Sequence, residues 1–310
     1  PIIWQIIVLF VVSCIIIAGV QKGIERMTKA LMPLLFILLI LCDIRALTLP
    51  GAMTGVEFLF KPDFTKLTRE VIIIALGLAF FKLSVGMGTM VTYGSYFDRN
   101  QNLPGTAIKA ALSDILVSMM AGLAIFPAVF AFGFEPDAGP GLLFITIPMV
   151  FSKMPLGSIL LSIFFLLTAI AATTAMMSLL EVPVAYLVEE KHFPRTTATI
   201  LSAGTIALLG TTASLSADAG SLLGGIKIFG KTFFDLYDYI SSNILMPIGG
   251  LFTVLFIVWV LGKTNIEREL SNNGLLNNDG VVNLFYIIVK YVSPLLIILI
   301  FLDSIGVLKF

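Results

Sequence analysis

The chain has 310 residues, of which 58% are hydrophobic and 12% charged, and its mean hydropathy is +1.04. Soluble domains usually contain about 25% charged residues, so this composition excludes a water-soluble globular fold. The formal net charge is zero and no basic tract stands out, which gives no basis for binding nucleic acid. The two cysteines lie inside apolar runs and make no disulfide framework.

Apolar runs long enough to cross a bilayer, which takes about 20 helical residues, recur along the whole sequence. We predict an all-α polytopic membrane protein that forms a single transmembrane domain over residues 1–310, with the lipid bilayer as its environment. The predicted helices lie near residues 3–20, 30–48, 71–97, 106–133, 156–188, 197–212, 232–261 and 282–306. The apolar stretch Leu142–Phe151 is too short to span, so we expect it to form a re-entrant or surface helix.

The third predicted helix contains Lys82 and the glycines Gly77, Gly86 and Gly88 near its middle. An ammonium group in hydrocarbon costs several kcal/mol, so an intramembrane lysine faces protein or water and usually marks function. Glycines at mid-membrane allow a helix to break, and the broken ends expose backbone groups that bind ions or carboxylates. The alternative is a continuous helix packed through small residues, with Lys82 in a structural ion pair.

The fourth predicted helix contains Asp114, which needs a partner as much as Lys82 does. We predict that the two side chains pair, and the alternative is that Asp114 forms hydrogen bonds locally near the helix start. The fifth helix offers the hydroxyls of Thr173, Thr174 and Ser178. These could bind a cation, or they could bond back to helix carbonyls, which is the more common arrangement.

Acidic residues also lie near two helix ends. Asp235 and Asp238 begin the seventh predicted helix, where one of them can cap it. Glu181 lies one or two turns deeper in the membrane than Glu189, so solvation at a helix end does not explain it. His192 is the single histidine, which gives catalytic or metal sites built from several histidines little support.

Several motifs occur in the order found in one family of transporters. They are Gln21–Arg26, Met32–Phe36, Pro62–Phe64, Phe80–Gly88, Thr92–Tyr96, Ala121–Pro127 and Gly139–Phe144. This series resembles the neurotransmitter:sodium symporter family, especially its bacterial members. The resemblance implies the inverted-repeat fold of the leucine transporter, with the present helices corresponding to family helices four to eleven. Because the first three family helices are missing and Pro1 is not an initiator methionine, we expect the chain to start partway through a longer protein.

The resemblance also implies roles for individual residues. Phe81 corresponds to the aromatic residue that covers the substrate, and Asp238 to the acid of the outer gate. Tyr96 and Glu189 correspond to the inner gate. The remaining substrate-binding positions are Lys82, Ser84, Met87, Ala175 and Leu179. Because this pocket is mostly apolar, it predicts a hydrophobic or aromatic amino acid as the substrate.

The chain departs from the family pattern at both sodium sites. Lys82 and Asp114 occupy ligand positions of the first sodium, so we hypothesise that the ammonium stands where this ion would bind. Ala171 and Thr174 match ligands of the second sodium, but Ala175 replaces the usual serine and removes one oxygen. We therefore predict weakened sodium sites, with a proton taken up by Asp114 or Glu181 as the other coupling ion. Ser118 matches a chloride-associated position, yet the charge of Asp114 predicts no chloride requirement.

These inferences combine into a bacterial inner-membrane, multi-pass amino-acid transporter that works by alternating access and uses no cofactor other than its coupling ion. Ordinary sodium symport through the second site is one alternative. A degenerate transporter that binds an amino acid as a sensor or binding subunit is another. An enzyme has little support, because the sequence offers no nucleophile–base pair or metal-ligand cluster.

Overall fold

The computed structural model describes residues 2–97, 101–134, 141–217 and 220–307. Within these ranges the chain is almost entirely helical, and the only strand-like pairing is an isolated bridge between Ile228 and Lys231. The helices are α1 (Ile2–Ile17), α2 (Val20–Leu47), α3 (Ala52–Phe60), α4 (Arg69–Lys82), α5 (Thr89–Ser95), α6 (Leu103–Ala131), α7 (Leu142–Ser152), α8 (Gly157–Glu189), α9 (Arg195–Ser216), α10 (Phe233–Leu270) and α11 (Asp279–Ser304). The all-α prediction is confirmed.

Six of the described helices are long and apolar enough to cross a membrane, namely α2, α6, α8, α9, α10 and α11. α1 and α7 are shorter apolar helices. The stretch predicted to be re-entrant or superficial forms α7, whose residues Ile147, Val150 and Phe151 are buried. Part of the motif Gly139–Phe144 lies outside the described residues, which resume at position 141.

Three predicted helices differ from the observed ones. The segment 71–97 is two helices, α4 and α5. The segment 30–48 begins earlier, at Val20, and the segment 232–261 continues to Leu270. The two extensions are polar and carry ion pairs one helical turn apart, Lys29 with Glu25 at 2.5 Å and Lys263 with Glu267 at 3.4 Å. Such pairs support helix outside an apolar window, which is why the hydrophobic pattern alone missed these ends.

The chain divides into two compact units. The first unit contains Pro1–Ile17, Thr65–Lys109 and Ser178–Phe310, and the second contains Ala18–Phe64 and Ala110–Met177. Helix α8 therefore contributes its first part to the second unit and its last part to the first unit. The prediction of a single transporter domain stays a prediction.

The core of the second unit forms where α2, α6, α7 and α8 meet. Val129 of α6, Val150 of α7 and Phe164 of α8 are buried there with Leu39 of α2. Close-packed interiors of this kind lose stability when a side chain is added or removed.

Helix α3 packs on α6 through a glycine and an aromatic cluster. A Cβ atom on Gly55 would lie 2.4 Å from the backbone nitrogen of Pro127. The ring of Phe58 lies 5.1 Å from the rings of both Phe126 and Phe130. Small residues permit this close approach of helices, which supplies packing energy that the bilayer itself does not provide.

We expect Gly55→Ala to lower the free energy of unfolding by about 1–3 kcal/mol, because its methyl group would collide with backbone that cannot rotate away. Gly122→Ala is the matched control in the same unit, since the atoms nearest to its new methyl would be the mobile methyl groups of Leu59, the closer one at 2.9 Å. Thermal or denaturant unfolding in detergent would measure both. A Gly55 variant no less stable than the Gly122 variant would contradict this account of the contact.

Candidate functional site

The first unit contains a helix that is interrupted in its middle. α4 ends at Lys82 and α5 begins at Thr89. Between them, Gly86 and Gly88 have φ angles of 85° and 80°, and Ser84 has a φ of 53°. Glycine adopts this region freely, whereas a side chain there costs roughly 1–3 kcal/mol. The break therefore lies at two of the three glycines from which it was predicted, whereas Gly77 lies within α4, and it includes one strained serine.

The break lies against the end of α8 that belongs to the same unit. A Cβ atom on Gly88 would be 3.0 Å from Val182 Cγ1. Thr89, the first residue of α5, is 4% exposed, and its Oγ1 has no hydrogen-bond partner among the described residues. Since buried hydroxyls are nearly always hydrogen-bonded, this atom marks a polar position that a ligand or water can fill.

The predicted substrate-binding residues are divided between the two units. Phe81 and Lys82 end α4 as exposed side chains, and Ser84 and Met87 lie half-buried in the break. Leu179 is an exposed residue of α8 in this same first unit, while Ala175 belongs to the second unit. Four of these residues thus lie within seven consecutive positions of the chain, at the end of α4 and in the break. Their roles in binding substrate stay predictions.

The predicted sodium ligands of α8 lie in the second unit. The hydroxyl of Thr174 donates to the carbonyl oxygen of Ala171 over 2.7 Å. The hydroxyl of Thr173 likewise donates to the carbonyl of Ala169, as expected for threonines that bond back to their own helix. Both oxygens predicted to bind the second sodium are therefore adjacent, and a carbonyl oxygen retains a second lone pair after accepting one bond.

The residues predicted for the first sodium site lie on α4 and α6. Asp114 is on α6 in the second unit, and its backbone carbonyl accepts a hydrogen bond from Ser118 Oγ at 2.6 Å. Lys82 belongs to the first unit. The pairing of Lys82 with Asp114 stays a prediction.

Glu181 of α8 is in contact with Arg195 of α9 and with Tyr96, which directly follows α5, and these three residues are here called the inner cluster. The Glu181 carboxylate is fully buried. Arg195 Nη2 lies 2.6 Å from its Oε2, and the Tyr96 hydroxyl donates to its Oε1 over 2.7 Å. Arg195 Nε also donates to the carbonyl of Ile16 at the end of α1, at 2.7 Å. The inner cluster therefore connects four helices of the first unit.

The partners of Glu181 in the inner cluster offset the free-energy cost of burying its carboxylate. Removing a carboxylate from water costs several kcal/mol unless a charged partner and hydrogen bonds replace the water. Glu181 receives one partner on each oxygen, and the Arg195 side chain retains 24% exposure. A second link runs beside it, where the Tyr93 hydroxyl donates to Ser178 Oγ over 2.9 Å. These two hydrogen bonds join α5 to α8 at positions three residues apart on each helix.

The two residues that correspond to the inner gate have different surroundings, and their role as a gate stays a prediction. The Tyr96 hydroxyl donates to Glu181, whereas Glu189 lies exposed at the end of α8. The depth of Glu181 in its helix had pointed to this residue. Arg195 was missed as its partner, although an arginine at the start of the next membrane helix was the available signal.

The acids at the start of α10 have distinct surroundings. Asp235 forms a capping box with Thr232, which confirms that one of the two caps the helix. Asp238, the residue predicted for the outer gate, is exposed and accepts a hydrogen bond from Ser242 Oγ at 3.3 Å. Its role as a gate stays a prediction.

Comparison with known proteins identifies the family of the chain. Residues 1–309 match the family model described as the sodium:neurotransmitter symporter family. The chain belongs to the sodium:neurotransmitter symporter family. The resemblance identified from the motifs is thereby confirmed, and the family consists of transporters and not of enzymes.

Three relatives of this symporter-family chain show how far the likeness extends. The uncharacterized sodium-dependent transporter YhdH of Bacillus subtilis is 42% identical over 99% of the chain and 67% of its own length. An uncharacterized sodium-dependent transporter of Haemophilus influenzae is 40% identical over 98% of the chain and 65% of its own length. The crystal structure of MhsT in complex with L-phenylalanine matches with a TM-score of 0.85 and 40% identity, over 98% of the chain and 68% of MhsT. The chain thus spans about two thirds of these relatives, and the predicted symporter fold is confirmed.

We expect Glu181→Gln to cost about 3 kcal/mol of unfolding free energy, because it leaves the Arg195 guanidinium without its carboxylate. This is the lower end of the range for breaking a buried pair, since Arg195 is partly exposed. The double variant Glu181→Gln with Arg195→Gln should recover part of the loss, because no unpaired charge remains.

Thermal unfolding in detergent would measure this double-mutant cycle. Glu189→Gln, an exposed acid on the same helix, is the control and should change stability little. Equal effects of the Glu181 and Glu189 variants would show that the ion pair does not stabilise the fold.

Proposed function

We propose that the protein to which this chain belongs transports a hydrophobic or aromatic amino acid across the bacterial inner membrane by alternating access. The break between α4 and α5 is the observation that carries this proposal. Broken helix ends present unpaired N–H and C=O groups, which bind the carboxylate and ammonium groups of an amino acid or a coupling ion. The 40% identity to MhsT, crystallised with L-phenylalanine, supports an amino acid as the substrate.

The residue types at the proposed substrate-binding positions support an apolar substrate. Phe81, Met87, Ala175 and Leu179 offer carbon surface at the proposed substrate positions, and Ser84 alone among the uncharged ones offers a hydroxyl. An apolar pocket with few polar groups selects a hydrophobic side chain, because burial of its carbon atoms supplies the binding energy.

Lys82 is proposed to replace the first sodium. A lysine ammonium at this position already supplies a positive charge beside the break, so a mobile cation there would be repelled. Sodium, treated as a co-transported substrate, would then bind only at Ala171 and Thr174, where Ala175 contributes no side-chain oxygen. The proposal therefore includes weak sodium coupling, with proton uptake by Asp114 or Glu181 as the other source of driving force.

The inner cluster is proposed to close the cytoplasmic side. Its hydrogen bonds hold α5, α8, α9 and α1 together, and substrate release toward the cytoplasm requires a path past such contacts. A few charge-assisted hydrogen bonds can form and break within one transport cycle, whereas a large apolar interface would be slower to open.

The proposal is tested by uptake of radiolabelled L-amino acids into proteoliposomes, using the protein at its full natural length and imposing sodium and proton gradients separately. We expect wild-type uptake of hydrophobic or aromatic amino acids with little dependence on sodium. Lys82→Thr should introduce sodium dependence, because it restores a hydroxyl ligand and removes the fixed charge. Lys109→Thr, which removes an exposed lysine from α6, should leave the ion dependence unchanged.

Each other result has a defined meaning. Strong sodium stimulation of the wild type would refute the replacement of sodium by Lys82 and restore ordinary sodium symport. Amino-acid binding without uptake under either gradient would refute transport and favour the sensor.

A further inference from the structure

We infer that Gly249 and Gly250 of α10, here called the glycine pair, are positioning residues that fix the backbone of the break and thereby the affinity for substrate. This inference rests on the proposed function, because it concerns the same site. It assigns a role to a helix from which no substrate-binding residue was predicted.

The first observation is direct contact between two backbones. A Cβ atom on Gly86, in the break, would lie 2.3 Å from the carbonyl oxygen of Met246 and 3.0 Å from the backbone nitrogen of Gly250. Conversely, a Cβ atom on Gly249 would lie 2.6 Å from the carbonyl oxygen of Gly86. Real Cβ contacts essentially never fall below 3.0 Å, so neither backbone has room for a methyl group.

The second observation is the position of an aromatic ring at this contact. A Cβ atom on Gly250 would lie 2.2 Å from Phe80 Cζ, and one on Gly86 would lie 3.2 Å from Phe80 Cε1. The Phe80 carbonyl also accepts a hydrogen bond from the Val85 backbone N–H at 3.1 Å. The ring of Phe80 therefore packs against both sides of the contact, α10 and the break.

The contact at Gly86 affects the proposed substrate-binding residues because they are its neighbours in the chain. Ser84 and Met87, two of the proposed substrate-binding residues, are two positions before it and one position after it. The break has no regular helical hydrogen bonding to hold it, so its position depends on the surfaces that it packs against. A displacement of about 1 Å in such a segment can cost up to about a hundredfold in function.

The two glycines predict different responses to the same substitution. In Gly250→Ala the new methyl would meet the ring of Phe80. Phe80→Leu removes this ring and leaves a smaller side chain. In Gly249→Ala the new methyl would meet the backbone oxygen of Gly86, which no change at Phe80 can remove. Gly204 of α9 provides the control, because a Cβ atom there meets nothing within 4 Å.

The experiment measures binding of tritiated L-phenylalanine to the full-length protein in detergent, together with thermal unfolding. We expect Gly249→Ala and Gly250→Ala each to weaken binding about tenfold or more, and Gly204→Ala to leave it unchanged. Adding Phe80→Leu should return the Gly250 variant to the affinity of Phe80→Leu alone, while the Gly249 variant should stay weak. Equal affinities for all three glycine variants, or lower unfolding temperatures with unchanged affinity, would overturn the inference.

A second measurement needs no substrate. Met87→Cys is placed in the wild-type, Gly249→Ala and Gly204→Ala backgrounds, and the rate of its reaction with a water-soluble thiol reagent is compared. A rate changed by Gly249→Ala alone supports the inference, and equal rates in all three overturn it. A wild type that binds no amino acid while the thiol rates differ would refute the proposed function and support only the part of the inference in which the glycine pair fixes the backbone of the break.

Discussion

The rest of the structure depends on one constraint, which is that backbone N–H and C=O groups at membrane depth must find partners within the protein or at a wetted site. A continuous helix meets this requirement unaided, and an interrupted one does not. Between Lys82 and Thr89 the chain gives up regular hydrogen bonding and relies on its neighbours. This interruption of the helix accounts for three features of the structure. They are the positive φ angles of Gly86 and Gly88, the contact of the break with α8 and the close approach of α10.

The buried charges also depend on a small number of partners within the protein. Glu181 is fully buried, yet each of its oxygens has a donor, and Arg195 in turn reaches a helix-end carbonyl. Since helix ends leave carbonyls unpaired, the Ile16 carbonyl is a natural acceptor for a guanidinium that already serves a carboxylate. One arginine at the start of α9 thereby satisfies groups on two other helices. This arrangement concentrates charge at few points and leaves the long faces of the helices apolar.

Much of the architecture was predictable because hydrophobic length and motif order are local properties of the sequence. The break followed from Gly86, Gly88 and Lys82, which no continuous apolar helix would carry together. The helix ends at Val20 and Leu270 were missed, because polar residues continue a helix through ion pairs that an apolar window ignores. Glu181 was singled out by its depth in the helix, but its hydrogen bond with Tyr96, its pairing with Arg195 and the contact of Gly86 with the glycine pair were not predicted. Each depends on how distant segments pack, and residue spacing does not report that packing.

Ser84 is the one residue with a side chain in the break that takes up the left-handed region, at a φ of 53°. Glycine reaches this region without penalty, and asparagine reaches it more easily than other residues, whereas a β-branched side chain is excluded. The residue at position 84 is therefore restricted by the backbone conformation as well as by the chemistry of its side chain. Neutral drift there is channelled toward glycine and asparagine, so a change of substrate preference that needed a valine or a threonine at position 84 would first require the backbone to be rebuilt.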